Sequence, residues 1–432
     1  MSAAKHIAVV GAGFVGLATA VFLARKGYTV DVVEKNPDIV ENLPKGRLHF
    51  HEPTLKIQLA RVVKSGRLRI GLPQPKPFQS CSLIYIAIDS VVQGAWQMRL
   101  ASFEQMAHWL GERKTRHKRT VVLKSTNILG FADAFRELLH QQPFGDTLAL
   151  TVNPEFLREG FAYEDTAAPW RVVVGADSPR DARPLIDLYR SVHPASVPIL
   201  RTTCREAELI KLGANVYLSH RLAFIHELAD YAREAGLDID RVRQGIGLDG
   251  RIGLTYFDPG LGFGGSCLPK DCHLINSREL GTTFDFLTAR TALTINQRLL
   301  DDLVARLDSA LQGLKDRRIA LLGVAFKSDL DDTRGSQAVT LARQLRRRGA
   351  RVLVHDPYVD SAAVPGQEDI RLALSLDEAC RNAEAVIIGT AHSRFRRLSA
   401  NTVASLVRNK LVVDYFRILN HARWKRAGFR FL

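Results

Sequence analysis

Cys267 stands at the end of a glycine cluster, in Pro259-Gly260-Leu261-Gly262-Phe263-Gly264-Gly265-Ser266-Cys267-Leu268-Pro269-Lys270-Asp271. Four glycines within six residues let a backbone come close to a ligand. Lys270 and Asp271 follow the thiol at three and four residues. Positive charge beside a cysteine lowers its pKa and makes it a nucleophile. A plain turn over a structural thiol needs neither so many glycines nor the charges, so the segment points to covalent chemistry. Cys272 and His273 have no second Cys/His pair at ligand spacing, and no metal site is expected.

Other groups could join the thiol. Asn153-Pro154-Glu155-Phe156-Leu157-Arg158-Glu159-Gly160 places two carboxylates four residues apart after a strand-like run. Lys211 and Asn215 are also four apart, hence on one face of a helix. Each pair alone reads as a solvated face. Ser125-Thr126 ends an apolar run, the place where open α/β sheets bind ligands.

A separate constellation lies near the start. Gly11, Gly13 and Gly16 follow the strand-like Ile7–Val10 and open a helix-like stretch. Such glycines permit a tight turn and bring a pyrophosphate to a helix N-terminus. Tyr28–Val33 reads as the next strand and ends at Glu34, 18 residues after Gly16. An acid there accepts hydrogen bonds from the adenosine ribose and repels a 2′-phosphate, which favours NAD over NADP. Ile7–Ala24 is apolar enough to pass for a leader or a short span. The glycine spacing and the closing Arg25-Lys26 make it a strand and helix of one buried unit instead.

These groups need a scaffold. With 432 residues and 46% hydrophobic content, the chain has material for two or three domains. A charged fraction of 24% excludes a mainly disordered chain. The formal charge of +15 favours anionic partners: nucleic acid, anionic lipid or a phosphorylated small molecule. No segment interleaves aromatic and basic residues as an RNA-binding sheet would. The expected partner is therefore a small molecule, with no nucleic acid and no membrane. Five cysteines cannot form a fully paired framework, which fits a reducing, cytoplasmic setting.

Leu83–Ile88, Thr120–Leu123, Leu148–Val152 and Arg171–Val174 are short apolar runs suited to a parallel sheet. A similar order recurs later. Arg318–Leu322 precedes Gly323, and Gly349 to Asp356 echoes Gly27 to Glu34, with Ala385–Gly389 and Leu411–Asp414 as further strands. Between the two halves, Leu209, Leu212, Val216, Leu218, Leu222 and Ile225 recur at helical steps from Arg205 to Gly236. A helix of that length spans roughly 45 Å and suits a spine or a dimer interface. The fold class is α/β: two Rossmann-like doubly wound domains joined by a long central helix and a helical dimerisation region. The boundaries fall at 1–200, 201–300 and 301–432.

Together these segments resemble the UDP-glucose/GDP-mannose dehydrogenase family from Ile7 to about Phe431. The segments Asn153–Gly160 and Gly262–Asp271 are the most specific. Ala325-Phe326-Lys327, Asp332-Thr333-Arg334-Gly335-Ser336 and Arg251-Ile252-Gly253 also match. The resemblance implies an NAD-dependent, four-electron oxidation of a nucleotide sugar's primary alcohol to a carboxylate, with UDP-glucose ahead of GDP-mannose, a UDP-N-acetylhexosamine or another nucleotide-linked primary alcohol; the alternative is a catalytically weak NAD or nucleotide-sugar binding protein. It implies Cys267 as the nucleophile of a thiohemiacetal and thioester, and Lys211 and Asn215 as oxyanion donors. Asp271, with Thr126 and a water, would accept protons, and Glu155 would be the hydrolytic base.

By the same resemblance, NAD would lie on Gly11, Gly13, Phe14, Val15, Gly16, Glu34 and Lys35. Thr126, Glu159, Lys270 and Arg334 would complete its site. The sugar nucleotide would meet Glu155, Phe156, Leu157, Lys211 and Asn215, then Phe263, Gly264, Lys327 and Arg417. Arg251 would reach the substrate of the neighbouring subunit of a homodimer. Three segments depart from the family pattern. Ile88-Asp89-Ser90 replaces Gly-Thr-Pro, Asn127-Ile128-Leu129 follows Ser125-Thr126, and Asp414-Tyr415-Phe416-Arg417 stands for Asp-Gly-Arg. The first two are expected to weaken NAD binding, and the third to alter sugar recognition.

Overall fold

Ile7 to Val10 are all buried, as a strand covered on both faces must be. They belong to a computed structural model that describes residues 6–73, 81–92, 95–112, 118–280, 282–360, 364 and 370–432. The chain divides into two compact units, one running to Ala214 and including Leu274–Phe284, the other Asn215–His273 with Asp285–Leu432. The stretch 201–300, expected as a central region, is thus shared between them.

The first unit is built on β1 (His6–Val10), β2 (Thr29–Val33), β3 (Leu68–Gly71) and β4 (Leu83–Ile86). A separate two-stranded antiparallel ribbon pairs β5 (Val91–Val92) with β6 (Gln97–Met98). The main sheet continues with β7 (Arg119–Leu123), β8 (Leu148–Val152), β9 (Val172–Gly175) and β10 (Ile199–Thr202). Its order is β10-β9-β8-β7-β4-β1-β2-β3. The strands from β8 to β3 are parallel. β9 meets β8 antiparallel, and β10 runs parallel to β9. The helix Phe14–Arg25 buries Leu17, Val21 and Phe22 in the core of this unit.

The second unit repeats the plan with β11 (Arg318–Leu322), β12 (Arg351–His355), β13 (Arg371–Leu372), β14 (Ala385–Ile388), β15 (Leu411–Val413) and β16 (Arg430–Phe431). The order is β13-β12-β11-β14-β15-β16, parallel throughout. β11 lies between β12 and β14 as β1 lies between β2 and β4. Asp356, the echo of Glu34, accepts from Val324 N at 2.7 Å and Ala325 N at 3.2 Å, with His392 Nε2 at 3.0 Å.

The long helix runs from Cys204 to Glu234, and the division between the units falls within it. Its exposed stripe differs from the sequence expectation. Leu212, Val216 and Ile225 are buried inside the chain, whereas the exposed large side chains are Leu209, Tyr217, Phe224 and Tyr231. The helix carries apolar residues on more than one face, so periodicity alone cannot say which face is covered. Among the described residues, no helix is long and apolar enough to cross a membrane.

Candidate active site

Of the five cysteines, Cys267 alone is exposed. Burial pushes the Cys81, Cys204 and Cys380 thiols up to about 12 and the Cys272 thiol to about 11. Cys267 precedes the short helix Leu268–Leu274, and its carbonyl accepts from Asp271 N at 2.9 Å. That bond closes the first turn of the helix. Asp271 is fully buried. Its Oδ2 accepts from Asn215 Nδ2 at 2.5 Å, and its Oδ1 lies 3.0 Å from Lys270 Nζ.

The glycines ahead of Cys267 serve close packing within this unit. Gly262 has φ +105°, and a side chain there would meet Asn296 Oδ1 at 2.4 Å. A Cβ on Gly264 would lie 2.3 Å from the carbonyl oxygen of Gly335. Asn296 clamps the loop from both sides, accepting from Phe263 N at 2.7 Å and donating to Phe263 O at 2.9 Å. Gln337 Nε2 donates to the same carbonyl at 2.9 Å. Phe263 and Gly264, expected at the substrate, are thereby fixed in place. The reading from sequence missed Asn296, one of many polar residues in the helix Leu287–Leu311 but a buried one.

In the other unit, Lys211 Nζ donates to Glu155 Oε1 at 2.7 Å, with both side chains buried. Leu157 N donates to Glu155 Oε2 at 2.7 Å, so each carboxylate oxygen has a donor. The Phe156 ring lies 5.6 Å from Lys211 Nζ and 3.7 Å from the Arg171 guanidinium. Lys124 adjoins this pair without having been anticipated. It donates to Asn153 Oδ1 at 2.8 Å, and burial lowers its ammonium to about 8. Thr126 is buried, and its carbonyl accepts from Ser90 Oγ at 2.5 Å. Ser90, from a segment that departs from the family pattern, therefore anchors the Thr126 loop. Glu208, also missed, accepts from Gly130 N and Ala132 N at 2.7 Å each at the far end of that loop. Glu159 is half-buried.

The glycine motif after β1 separates into two roles. Gly11 has φ +98°, and a Cβ would lie 2.4 Å from Ala87 O, while one on Gly16 would lie 2.1 Å from Gly11 O. Those two glycines are demanded by the chain itself. Gly13 faces open space within 4 Å and caps the helix Phe14–Arg25 without a side-chain bond. The first-turn N–H groups, with Phe14 and Val15, are thus available to an anion. Glu34 accepts from Ala12 N and Asn36 N at 2.9 Å each, which aligns its carboxylate beside the loop. Lys35 is exposed. An uncapped helix N-terminus beside an aligned acid fits the pyrophosphate and ribose of a dinucleotide.

The outlying arginines are already paired. The Arg251 side chain is 90% exposed and lies 2.6 Å from Asp249. Arg334 Nη2 lies 2.6 Å from Asp332. Arg417, expected at the nucleotide sugar, has φ +57° and donates to Asp240 at 2.7 Å and Asp238 at 2.9 Å. Those acids begin the helix Ile239–Gly247, so its guanidinium is engaged within its own unit. The neighbouring Phe416 ring packs where a side chain on Gly260 would lie. Lys327 is half-buried. His226 is buried, and burial lowers its imidazole to about 4. Among the described residues, His6, Asp31 and Cys81 are the one group with metal-like spacing. The Arg69 guanidinium already lies 2.6 Å from Asp31 and 2.9 Å from His6.

Comparison with known proteins accounts for most of the chain. Residues 5–193 match the NAD binding domain of the UDP-glucose/GDP-mannose dehydrogenase family, residues 205–298 its central domain and residues 320–421 its UDP binding domain. The UDP-glucose 6-dehydrogenase of Rhizobium meliloti is 31% identical over 428 residues, covering 98% of each chain. Among solved structures, a UDP-glucose dehydrogenase from Pyrobaculum islandicum superposes with a TM-score of 0.89 at 35% identity, over 97% of this chain and 95% of that one. A UDP-D-ManNAc dehydrogenase from Pyrococcus horikoshii gives 0.86 at 26% identity, over 99% and 98%.

Proposed function

Because the chain belongs to the UDP-glucose/GDP-mannose dehydrogenase family, and is an NAD-dependent nucleotide-sugar dehydrogenase, we propose that it oxidises UDP-glucose to UDP-glucuronate. The observation that carries the reading is Cys267: the one exposed thiol, four residues ahead of a buried acid that is hydrogen-bonded to Asn215.

NAD+ supplies the hydride acceptor, used twice per sugar. Asp271 takes the hydroxyl proton as the alcohol becomes an aldehyde. The Cys267 thiolate then adds to the aldehyde carbon, giving a thiohemiacetal. Lys211 and Asn215 donate to the oxyanion as it forms. The second oxidation leaves a thioester on Cys267. Water adds to its carbonyl, Glu155 accepts one water proton, and the C–S electron pair returns to sulfur as thiolate. The covalent step holds the aldehyde and gives its carbon a second hydride to lose.

The NAD site comprises the Gly11–Gly16 loop, Glu34 and Lys35, with Thr126, Glu159, Lys270 and Arg334. Phe156, Leu157, Phe263, Gly264 and Lys327 hold the sugar nucleotide. The exposed stripe of Tyr217, Phe224 and Tyr231 supports a homodimer, and the reach of the exposed Arg251 side chain supports its action on a partner's substrate. Four buried cysteine thiols support a cytoplasmic setting.

The test is a panel of UDP-, GDP- and dTDP-linked sugars with NAD+, read as NADH and product mass. UDP-glucose should be preferred, with two NADH and one carboxylate per sugar. Cys267→Ser should lose turnover by several orders of magnitude, because a hydroxyl is far less nucleophilic than a thiolate at neutral pH. Cys272→Ser should stay within about a few-fold, as a buried structural thiol. One NADH per sugar, or normal acid formation by Cys267→Ser, would reject the thioester route. Preference for another sugar would reject the substrate while leaving the chemistry.

A further inference from the structure

Lys124 is the first residue beyond β7, and Asn153 the first beyond β8, strands paired in parallel through Leu123 and Val152. The Lys124 ammonium donates to Asn153 Oδ1 at 2.8 Å, and the Tyr189 hydroxyl donates to the same oxygen. Asn153 Nδ2 is itself fixed on Val173 O at 2.7 Å, and the residue is 1% exposed. The acceptor cannot turn away, so the lysine is held in one place. Two residues on stands Glu155, tied to Lys211. Lys124, Asn153 and Glu155 line one narrow cavity of this unit. A second lysine therefore shares this cavity with the buried carboxylate that Lys211 binds.

We propose that Lys124 is a positioning residue: its ammonium, clamped on Asn153, is the second cation that keeps Glu155 a carboxylate while Glu155 serves as the base of thioester hydrolysis. This rests on the role proposed above for Glu155. An opposite charge nearby favours the ionised form of an acid, and a second one extends that range to lower pH. The interaction is mutual, since Glu155 favours the Lys124 ammonium while Lys211 opposes it. Lys211 is committed to Glu155 by a direct bond, whereas Lys124 acts through space and leaves both carboxylate oxygens to Lys211 and Leu157.

The other titratable groups around Lys124 do not supply this charge. Tyr189, from the helix Pro179–Val192, is pushed up to about 12 by burial, and Tyr85 behind it is also held up. Burial keeps the His193 imidazole below its ordinary value, which disfavours its charged form. On the farther wall, Asp165 is paired with Arg158 at 2.7 Å, and Arg171 is stacked on Phe156.

The experiment separates oxidation from hydrolysis. Wild type, Lys124→Met and Lys124→Arg are mixed with UDP-glucose and excess NAD+ in single turnovers from pH 5.5 to 9 (a range of about that width spans both limbs). NADH reports the two oxidations, and mass spectrometry reports the adduct on Cys267. With Lys124→Met, the acidic limb of acid formation should move up by about one pH unit. The adduct should accumulate at low pH, with NADH formation and the KM for UDP-glucose unchanged. Lys124→Arg keeps the charge and should restore the wild-type limb. Lys124→Gln, which keeps a donor for Asn153, repeats the neutral test if the methionine variant does not fold. An equal loss at every pH in the neutral variants, or failure of Lys124→Arg to restore the limb, would overturn the proposal. Glu155→Gln is the control. If it hydrolyses the adduct at the wild-type rate, the base assignment fails. If it stalls hydrolysis while the neutral Lys124 variants leave the limb in place, only the role of Lys124 fails.

Discussion

Asn215 Nδ2 donates to Asp271 Oδ2 across 2.5 Å, and both side chains are buried. The bond ties the long helix to the turn that presents Cys267, and it keeps an acceptor aimed at an amide donor. Asp271→Asn would set amide against amide and remove a group able to take a proton. Its kcat is expected to fall by about 10²–10⁴-fold, with little change in the KM for the nucleotide sugar. Thermal melts should also show a loss, because a neutral amide no longer offsets the Lys270 charge 3.0 Å away. A variant with unchanged kcat would remove Asp271 from the proton-transfer role.

Two glycines of one motif should respond differently to alanine. Gly11 has φ +98°, and its added Cβ would meet Ala87 O at 2.4 Å. Gly11→Ala should therefore destabilise the chain itself, by about 1–3 kcal/mol. Gly13 has φ −68° and nothing within 4 Å of a Cβ. Gly13→Ala should melt like the wild type but bind NAD+ at least about tenfold more weakly, since one methyl would occupy the space a pyrophosphate needs. Differential scanning fluorimetry and calorimetric titration with NAD+ check the two halves. Equal NAD+ affinity in Gly13→Ala and wild type would place the pyrophosphate elsewhere.

The contrast between those glycines shows what could be read without coordinates. Spacing identified the motif but not which glycine answers to the chain and which to a ligand. Buried parallel strands were legible because both faces are apolar: Leu148–Val152 and Arg318–Leu322 match the observed strands residue for residue. The antiparallel turn of β9 against β8 leaves no trace in such a run, and β13 and β16, at two residues each, are too short for a pattern. Among the candidate residues, Cys267 was legible from its own neighbours, whereas Lys211 and Glu155, each read alone as part of a solvated face, stood out only through the family resemblance. Asn296, Lys124 and Glu208 did not stand out, because their contacts join residues 33, 29 and 78 positions apart. A lone polar residue on a helix or at a strand end reads as solvated until its partner is known.

The exposed helix stripe leads to a test of assembly. Tyr217, Phe224 and Tyr231 are 58%, 45% and 68% exposed and recur every seven residues along one helix. Tyr231→Glu puts a charge on that face without touching the Phe224–Phe257 stack, whose rings lie 6.0 Å apart. Sedimentation velocity should show a dimer for wild type and a shift toward monomer for Tyr231→Glu. Activity should fall with the dimer fraction if Arg251 works on a partner's substrate. A fully active monomer would reject both the interface and the role of Arg251.

Glu208 gives a pH dependence whose sign can be worked out. Burial raises its carboxyl to about 7 from an ordinary 4.5, against the pull of the Ala132 and Gly130 N–H groups. Asp133 pushes the same way as burial, and Arg205 opposes it. Between those two values the folded chain holds a proton that the unfolded chain has released. Stability therefore falls as pH rises across that interval. The contribution is complete below about 4.5 and gone above about 7, with a ceiling on the order of 3 kcal/mol. Glu208→Gln does not titrate and still offers an acceptor to one of the two N–H groups. Its unfolding free energy, measured with urea from pH 5 to 8 (about the span in which the proton is lost), should vary less with pH than that of the wild type. The two curves should diverge most toward neutral pH, where wild type carries the buried charge and the variant does not. Parallel curves would show that Glu208 is ionised in the folded chain well below neutrality and holds the Thr126 loop as a carboxylate at every pH tested.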